Sequence, residues 1–321
     1  MNGIVTMGEL LVDFLPTGME RGSIEYLPMA GGAPANVAAG VAKLGGFSAF
    51  IGKVGDDFFG RFLASALVEA GVDTGRLLLS ETHKTSLAFV SLDEQGERSF
   101  LFYRDRAADI MYAPEELPLD MIGEALAFHF GSISLIEEPV RSATLAGAAA
   151  ARERHVMVSY DPNLRLNLWP DGATAKAMIF KGMEFADLLK ISEEELVFIT
   201  GELSVEAAAR MVMETGPSLV FVTLGARGCF VRGGDFEFYT DGFQVAPVDT
   251  TGAGDAFMAA VLYKIQAAGA ADTASLSREF LEETARFANA AGALTTLRKG
   301  AMNAMPALYE VEDFIKCEEC E

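Results

Sequence analysis

The chain has 321 residues, of which 50% are hydrophobic, and its formal net charge is −21. This apolar content allows a large core and disfavours disorder, while the acidic balance disfavours nucleic acids and anionic membrane surfaces as partners. No apolar run is long enough to span a membrane, and the first residues, MNGIVTMGELLVDF, lack the basic region of a signal peptide. We therefore expect a cytoplasmic protein.

Strand-like and helix-like segments alternate along most of the chain. The pattern predicts strands at 3–8, 47–55, 126–131, 155–161, 187–192 and 219–225, and helices at 35–45, 57–71, 143–154, 204–214 and 256–268. The strands are apolar, as in a parallel sheet that helices cover on both faces. We expect an α/β protein with a three-layer α/β/α arrangement and a mostly parallel central sheet.

Two regions interrupt this alternation. Residues 11–32 and 85–109 alternate apolar and polar positions, and the second contains DEQGE, a turn sequence typical of a hairpin. We expect both regions to form a small β-sheet that acts as a lid over the carboxyl ends of the parallel strands, where such sheets bind ligands. The predicted organisation is a single domain, residues 1–321, with this lid inserted in it.

Small and polar residues mark the ends of several predicted strands and the starts of helices. Gly31 and Gly32 in GGAPANVA precede a helix and let a ligand approach the backbone. DPNLR follows a strand, and TLGARG forms a glycine-rich turn between two strands. Each of these segments is also compatible with an ordinary turn.

The segment VDTTGAGDAF, residues 248–257, precedes a strongly apolar predicted helix. Its small residues leave the backbone N–H groups of a helix N-terminus unobstructed, which suits an anion. Asp255 would compete with that anion for the same donors. In isolation, the segment is equally compatible with a glycine turn followed by an acid that favours the helix dipole.

Taken together, these segments resemble the ribokinase-like (PfkB-type) family of carbohydrate kinases. The resemblance covers nearly the whole chain and consists of GGAPANVA with KLGG, DPNLR, KISEEEL, TLGARG and DTTGAGDAF, in that order. DTTGAGDAF matches the family's second signature in spacing and identity. Within the family, FYRDRAAD, GGAPANVA and DPNLRLNLWP look most like fructokinases.

The resemblance implies an ATP-dependent sugar kinase that phosphorylates fructose at O6. Asp255 would accept the proton of the sugar hydroxyl, and the backbone N–H groups of Gly252, Ala253 and Gly254 would bind the γ-phosphoryl oxygens. Arg165 would lie near the phosphates and neutralise the charge that is transferred. The sugar hydroxyl would thus lie between the carboxylate and the anion.

The same resemblance assigns the binding residues. Sugar contacts would come from Asp13, Gly31, Gly32, Asn36, Arg104 and Asn163. Nucleotide contacts would come from Lys190, Ser192, Thr223, Gly225, Gly228 and Asn289. Glu195 would organise Mg²⁺ through water, with Ser192 where many members have Asn. Asp249 and Thr251, with LRKGA at 297–301, match a loop that binds a monovalent cation in several relatives, so K⁺ activation is a further hypothesis.

Other functions stay open at this point. A 2-keto-3-deoxygluconate kinase is the closest alternative, because it shares the fold and an aromatic–arginine pair like Tyr103–Arg104. The lid arginines Arg104 and Arg106 would then hold the carboxylate of its substrate. Ala33-Pro34-Ala35 stands where ribokinases usually carry a Lys, and no aromatic clamp for a nucleoside base is recognisable. A sugar-sensing protein with an inactive kinase fold is the non-enzymatic alternative, although Asp255, Glu195 and Arg165 are all retained. A Rossmann oxidoreductase lacks its glycine fingerprint.

Two further features concern partners and metals. The apolar lid residues Leu87, Phe89, Phe100 and Phe102 either pair with a second copy, giving a homodimer, or cover their own cleft. Cys317 and Cys320 form a C-x-x-C pair without a second pair or a nearby histidine. We expect this end of the chain to be a frayed acidic tail rather than a zinc site.

Overall fold

The computed structural model describes residues 3–20, 23–92 and 98–318. Its strands are β1 (Ile4–Met7), β2 (Leu11–Glu20), β3 (Ser23–Gly31), β4 (Ser48–Gly55), β5 (Leu77–Ser80), β6 (Leu87–Leu92), β7 (Arg98–Tyr103), β8 (Ala127–Gly131), β9 (Met157–Asp161), β10 (Leu188–Ser192), β11 (Leu219–Thr223), β12 (Cys229–Gly233) and β13 (Phe236–Thr240).

The helices are α1 (Ala33–Lys43), α2 (Phe58–Glu69), α3 (Leu119–Gly123), α4 (Val140–Glu153), α5 (Gly172–Met183), α6 (Glu193–Thr200), α7 (Val205–Met213), α8 (Ala253–Ala267), α9 (Arg278–Thr296) and α10 (Leu308–Glu318). Short 3-10 turns occur at Pro114–Glu116, Ile133–Leu135, Leu166–Leu168, Gly225–Arg227, Thr273–Ser275 and Met302–Ala304. In the described ranges, no helix is long and apolar enough to cross a membrane.

The large sheet has nine strands in the order β13-β12-β11-β10-β9-β8-β1-β4-β5. Its strands run parallel from β11 to β5, and β12 and β13 are antiparallel additions at one edge. In β11, Leu219 and Phe221 pack into one core and Val220 and Val222 into another. The sheet is therefore buried on both faces, as the apolar strand sequences predict.

Helices cover the two faces and complete the three layers. Helices α4 to α7 contribute to the core on one face, and α1, α8, α9 and α10 to the core on the other. A third, smaller core joins α1 and α2 to the base of the small sheet. This arrangement confirms the predicted three-layer α/β/α fold.

The small sheet has four strands in the order β3-β2-β6-β7. Strands β2 and β6 run parallel, whereas β3 and β7 pair with them antiparallel. The prediction that the two interrupting regions form one small sheet is confirmed. The DEQGE turn at 93–97, where the hairpin bend is predicted, lies outside the described residues.

The start of one helix and the structure near the end of the chain differ from the prediction. Helix α8 begins at Ala253, three residues earlier than predicted, because Gly252 adopts a left-handed conformation (φ 79°) and caps it. Asp255 therefore lies in the first helical turn. The expected frayed tail is wrong for Cys317, which is exposed in the last turn of α10, and Cys320 lies outside the described residues.

Candidate active site

Asp255 is buried at the start of α8, where two asparagine side chains hold its carboxylate. Asn36 Nδ2 donates to Oδ2 at 2.8 Å, and Asn163 Nδ2 donates to Oδ1 at 2.9 Å. Asn36 comes from the first turns of α1, and Asn163 follows β9 with a positive φ of 45°. Three segments far apart in sequence thus fix the orientation of one carboxylate.

The turn before α1 places Asn36 by close backbone packing. Gly32 has a φ of 112°, and a Cβ on it would lie 2.3 Å from the Glu9 carbonyl oxygen, so only glycine fits. Asn36 Oδ1 is buried and has no hydrogen-bond partner within the described residues. This buried acceptor beside Asp255 is available to a hydrogen-bond donor from outside the chain.

Asp13 on β2 is the second carboxylate of the site. A Cβ on Gly31 would lie 2.1 Å from Asp13 Oδ2, so Gly31 leaves room for the carboxylate. Burial raises the pKa of Asp13 to about 7, with added repulsion from Asp255 and Asp249 and partial compensation by Arg165. Burial also raises the pKa of Asp255, against the Asn36 hydrogen bond and the charges of Lys190 and Arg165.

A buried ion pair lies on the other side of the α8 N-terminus. Lys190 Nζ contacts Asp161 Oδ2 at 3.0 Å, and both side chains are buried. A Cβ on Gly254 would lie 2.7 Å from Lys190 Nζ, so the missing side chain lets the ammonium approach the helix terminus. Positive charge is thereby added to the end of α8 that already favours anions.

The predicted anion-binding N–H groups are not equivalent. The Ala253 N–H donates to the Thr250 carbonyl at 3.3 Å, a long hydrogen bond. The N–H groups of Gly252 and Gly254 have no hydrogen-bond partner among the residues that the structure describes. These two groups are the ones available to an anion.

A cavity of about 290 Å³ lies beside this helix terminus. Four residues predicted to contact the nucleotide line it, together with Ala253 and Gly254: these are Thr223, Gly225, Gly228 and Asn289. Phe243, Val245, Pro247 and Phe257 form apolar walls; our sequence reasoning missed them, although the apolar residues of FQVAPV after β13 were a usable signal. We call this space the nucleotide cavity.

A second, more open cavity of about 400 Å³ is lined by Asn163, Arg165, Lys190, Ser192 and Glu195, among others. Glu195 Oε2 accepts from the Ser192 N–H at 2.9 Å, and Oε1 accepts from the Leu164 N–H at 2.5 Å. Glu195 thus joins the start of α6 to the loop after β9. Lys190 and Ser192 lie here, and not among the lining residues of the nucleotide cavity. We call this space the charged cavity.

Comparison with known proteins identifies the family. The model of the pfkB family carbohydrate kinases matches residues 3–308. The chain belongs to this family. A probable fructokinase-4 from Arabidopsis thaliana is 45% identical over 318 residues, which are 98% of this chain and 96% of that protein.

Solved structures of fructokinases resemble this carbohydrate kinase along the whole chain. A crystal structure of fructokinase with bound ATP from Xylella fastidiosa is 37% identical, with a TM-score of 0.92 and full coverage (100%) of both chains. A fructokinase double mutant from Vibrio cholerae O395, with fructose, ADP and potassium ion bound, is 39% identical, with a TM-score of 0.89 and 98% of each chain covered.

Two predicted residues of the carbohydrate kinase support loops. Asn289 Nδ2 donates to the carbonyls of Thr240 and Asp241 at 3.3 and 3.1 Å, so it holds one wall of the nucleotide cavity. Asp249 accepts from the Thr251 N–H at 2.8 Å and from the Gly300 N–H at 3.0 Å. The predicted cation loop therefore lies against residues 297–301, as the motif requires.

Arg104 is the predicted site residue that the structure places apart. It is buried at the base of the small sheet, and its Nε and Nη2 both contact Asp109 Oδ2 at 2.7 Å. Within the described ranges, no hydrogen bond or ion pair joins Arg104 to Asp13, Asn36 or Asp255. As a sugar ligand, Arg104 stays a prediction.

Proposed function

We propose that this carbohydrate kinase is an ATP-dependent fructokinase that phosphorylates fructose at O6. The observation that carries the proposal is the Asp255 carboxylate, held by Asn36 and Asn163 one residue from Gly254, which lines the nucleotide cavity. The sugar and ATP bound to the fructokinases of Vibrio cholerae and Xylella fastidiosa support the choice of both substrates.

The reaction is one proton transfer and one phosphoryl transfer. Fructose O6 gives its proton to Asp255 and forms a bond to the γ-phosphorus, while the bond from that phosphorus to the bridging oxygen breaks and ADP leaves. The free N–H groups of Gly252 and Gly254, with Arg165 and Lys190, stabilise the charge on the transferred group. Asp13, Gly31, Gly32 and Asn36 orient the sugar, and the residues of the nucleotide cavity bind ATP.

The charged cavity suits a divalent cation that is bound mainly by the phosphates of ATP. In the described ranges, no three His, Cys, Asp or Glu side chains cluster as a complete metal site. Mg²⁺ needs only one or two carboxylates when it keeps waters and binds phosphate, and Glu195 with the Ser192 hydroxyl supplies such oxygens. The ion would neutralise phosphate charge during transfer.

We also propose that K⁺ binds at the loop of Asp249 and Thr251. The potassium ion in the Vibrio cholerae fructokinase supports this assignment. Assays in which sodium replaces potassium as the only monovalent cation test it: activity should fall in sodium, and equal activity in both buffers would remove K⁺ from the account.

One of the two lid arginines is already paired, which favours fructose over a keto acid. A 2-keto-3-deoxygluconate kinase must bind a substrate carboxylate, and the sequence offers Arg104 and Arg106 for it. Asp109 already neutralises this guanidinium within a buried ion pair. The ion pair thus engages one of the two arginines offered for a substrate carboxylate, which favours a neutral sugar.

Three coarser predictions, on domain organisation, oligomeric state and location, accompany the proposal. We propose one domain with an inserted lid, and a homodimer through the small sheet, whose exposed apolar side chains are Ile24, Leu27, Leu101 and Tyr103. Of the residues predicted for this contact, Phe89 instead stacks on Phe14 with 4.6 Å between ring centroids, and the Phe100 side chain lies outside the described residues. The cytoplasmic location stays a prediction.

The test is ADP release with Mg-ATP over a panel of fructose, 2-keto-3-deoxygluconate, ribose, glucose and adenosine. We expect turnover on fructose and little on the others. Turnover on the keto acid alone would keep the phosphoryl-transfer mechanism and reassign the substrate. Binding of a sugar without any turnover would favour a sugar sensor.

A further inference from the structure

All the segments that join the small sheet to the large one meet in a single buried polar cluster. These segments are residues 8–10, the turn into α1, residues 81–86 and residues 104–113. They contribute Glu9, the Ala33 N–H, Ser86, and Arg104 with Asp109. The four side chains are between 1% and 7% exposed. Such burial of charged groups at a junction is costly unless the groups are paired.

Asp109 is the centre of the cluster. Its Oδ1 accepts from the Ser86 hydroxyl at 2.5 Å, and its Oδ2 accepts from Arg104 Nε at 2.7 Å. Ser86 directly precedes β6, and Arg104 directly follows β7. One carboxylate therefore ties together the entry and the exit of the same hairpin.

Glu9 connects this cluster to the active site. Its Oε1 accepts from the Ala33 N–H at 2.9 Å, and its Oε2 is buried without a hydrogen-bond partner in the described part of the chain. Burial raises the pKa of the Glu9 carboxyl group to about 7 and the charge of Asp109 adds to the rise, whereas the charge of Arg104 lowers it. Ala33 begins α1, three residues before the Asn36 that holds Asp255.

We propose that Glu9, Arg104 and Asp109 form the junction that fixes the lid on the large sheet, which we call the hinge. Glu9 and Asp109 are then positioning residues of the kinase. The hinge fixes β2, which carries Asp13, and the start of α1, which carries Asn36, in one orientation relative to Asp255. In this role Arg104 acts through Asp109 and not as a ligand of the sugar. The kinetic part of the inference rests on the proposed fructokinase activity.

The hinge predicts a selective kinetic defect. Misplacing Asp13 and Asn36 weakens the sugar site, whereas the residues that line the nucleotide cavity come from the end of β11, the loops at 225–228 and 242–250, α8 and α9, and none of these segments supplies a member of the cluster. Replacing Asp109 by Asn should raise KM for fructose roughly 10- to 100-fold, since small displacements of positioning groups have effects of this size. KM for ATP should change less than about twofold.

The experiment compares D109N, E9Q and S86A with D105N, which changes an exposed Asp of the same segment. For each variant, kcat and both KM values are measured, and hydrogen exchange is followed in β2, β6, β8 and β9 with and without fructose. We expect D109N and E9Q to raise KM for fructose and to speed exchange in β2 and β6, with β8 and β9 unchanged. S86A keeps the ion pair and should show a smaller effect of the same kind.

Two results would overturn the hinge. One is a D109N protein with the KM for fructose and the exchange pattern of D105N. The other is equal loss of fructose and ATP binding with faster exchange in both sheets, which would indicate general destabilisation. If D109N does not fold, S86A and E9Q carry the same test. If the wild type phosphorylates no sugar, faster exchange confined to β2 and β6 still supports the hinge, so its failure is separable from that of the proposed function.

The role of Arg104 is tested by a double-mutant cycle with R104M and D109N. If Arg104 acts through Asp109, the double variant should bind fructose no worse than either single variant. If R104M weakens fructose binding while D109N does not, Arg104 contacts the sugar directly and the hinge assignment is wrong.

Discussion

The two cavities beside the α8 N-terminus differ in the residues that line them: one lining is uncharged and the other is rich in charge. The residues that line the nucleotide cavity are all uncharged, and five of them are glycines: Gly225, Gly228, Gly242, Gly254 and Gly292. The charged cavity and the adjoining sugar site instead concentrate Asp13, Asp161, Arg165, Lys190, Glu195 and Asp255. In the proposed reaction, charge is gathered where a proton and a phosphoryl group would move, whereas the nucleotide would be held mainly by shape and backbone.

This division has an electrostatic cost on the charged side. The buried Asp255 and the half-buried Asp13 lie close enough to repel each other, and Arg165 compensates both only in part. Ligands that donate hydrogen bonds to these carboxylates reduce the repulsion, so the site favours their binding. Sugar hydroxyls are such donors.

The largest effect of a change at the boundary should follow Gly254→Ala. The added Cβ would meet Lys190 Nζ at 2.7 Å, displace the ammonium from the helix terminus and remove one charge from the anion site. We expect kcat to fall about 10²-fold, the usual cost of one lost group in such a site. Steady-state kinetics measure it, with Gly18→Ala, where a Cβ meets open space, as the control. Wild-type kcat in G254A would show that Lys190 does not act on the phosphoryl group.

A smaller effect is expected on the uncharged side. Gly228 has a φ of 97°, and a Cβ on it would lie 2.0 Å from the Thr240 carbonyl oxygen, so Gly228→Ala must distort one wall of the nucleotide cavity. We expect KM for ATP to rise about tenfold with kcat changed much less, because uniform binding is lost.

Gly225→Ala is the matched control for this change. Its φ of 59° is also left-handed, but nothing lies within 4 Å of the added Cβ, so only about 1–2 kcal/mol of backbone strain is expected. If kcat fell in both variants while KM for ATP did not rise, the assignment of ATP binding to the nucleotide cavity and of phosphoryl transfer to the charged cavity would be wrong.

A third effect concerns pH and separates activity from stability. Asp13 has a pKa raised to about 7, so the folded protein binds its proton more tightly than the unfolded chain does. The stability contributed by this group is therefore greatest at low pH and falls as pH rises towards 7, by at most about 1.4 kcal/mol per pH unit. Activity should run the other way, because Asp255 must be ionised to accept a proton.

The measurement is the difference in unfolding free energy between the wild type and D13N, from about pH 5 to about pH 8. The wild type should lose stability relative to D13N across this range. A difference that is constant with pH would show that the carboxyl of Asp13 titrates at its ordinary pKa.

The sequence predicts the site best where one local segment determines it. DTTGAGDAF predicts a helix N-terminus next to Asp255, although α8 begins three residues before the predicted start, and the alternation of apolar segments predicts the layered sheet. The Thr223, Gly225 and Gly228 turn was likewise recognisable, because glycine positions are local requirements of the backbone.

Local sequence patterns predict less where tertiary packing decides the role of a residue. Lys190 was grouped with the nucleotide glycines, but its pairing with Asp161 depends on the alignment of β9 with β10, which no local pattern encodes. Arg104 was assigned to the sugar by motif alone, and Asp109 was not singled out, because the ion pair arises from the way the chain leaves the small sheet. The hydrogen bond that engages the Ala253 N–H also follows from the turn geometry and not from residue type.

The most direct test of the account compares the wild type with Asp255→Asn in single-turnover experiments with ATP and fructose, with Asp235→Asn as an exposed control. The account predicts that D255N binds each ligand within about twofold of the wild type and loses phosphoryl transfer by roughly 10²- to 10⁴-fold, as for a positioned base. Phosphoryl transfer at the wild-type rate in D255N, or the loss of ATP binding together with transfer, would contradict it.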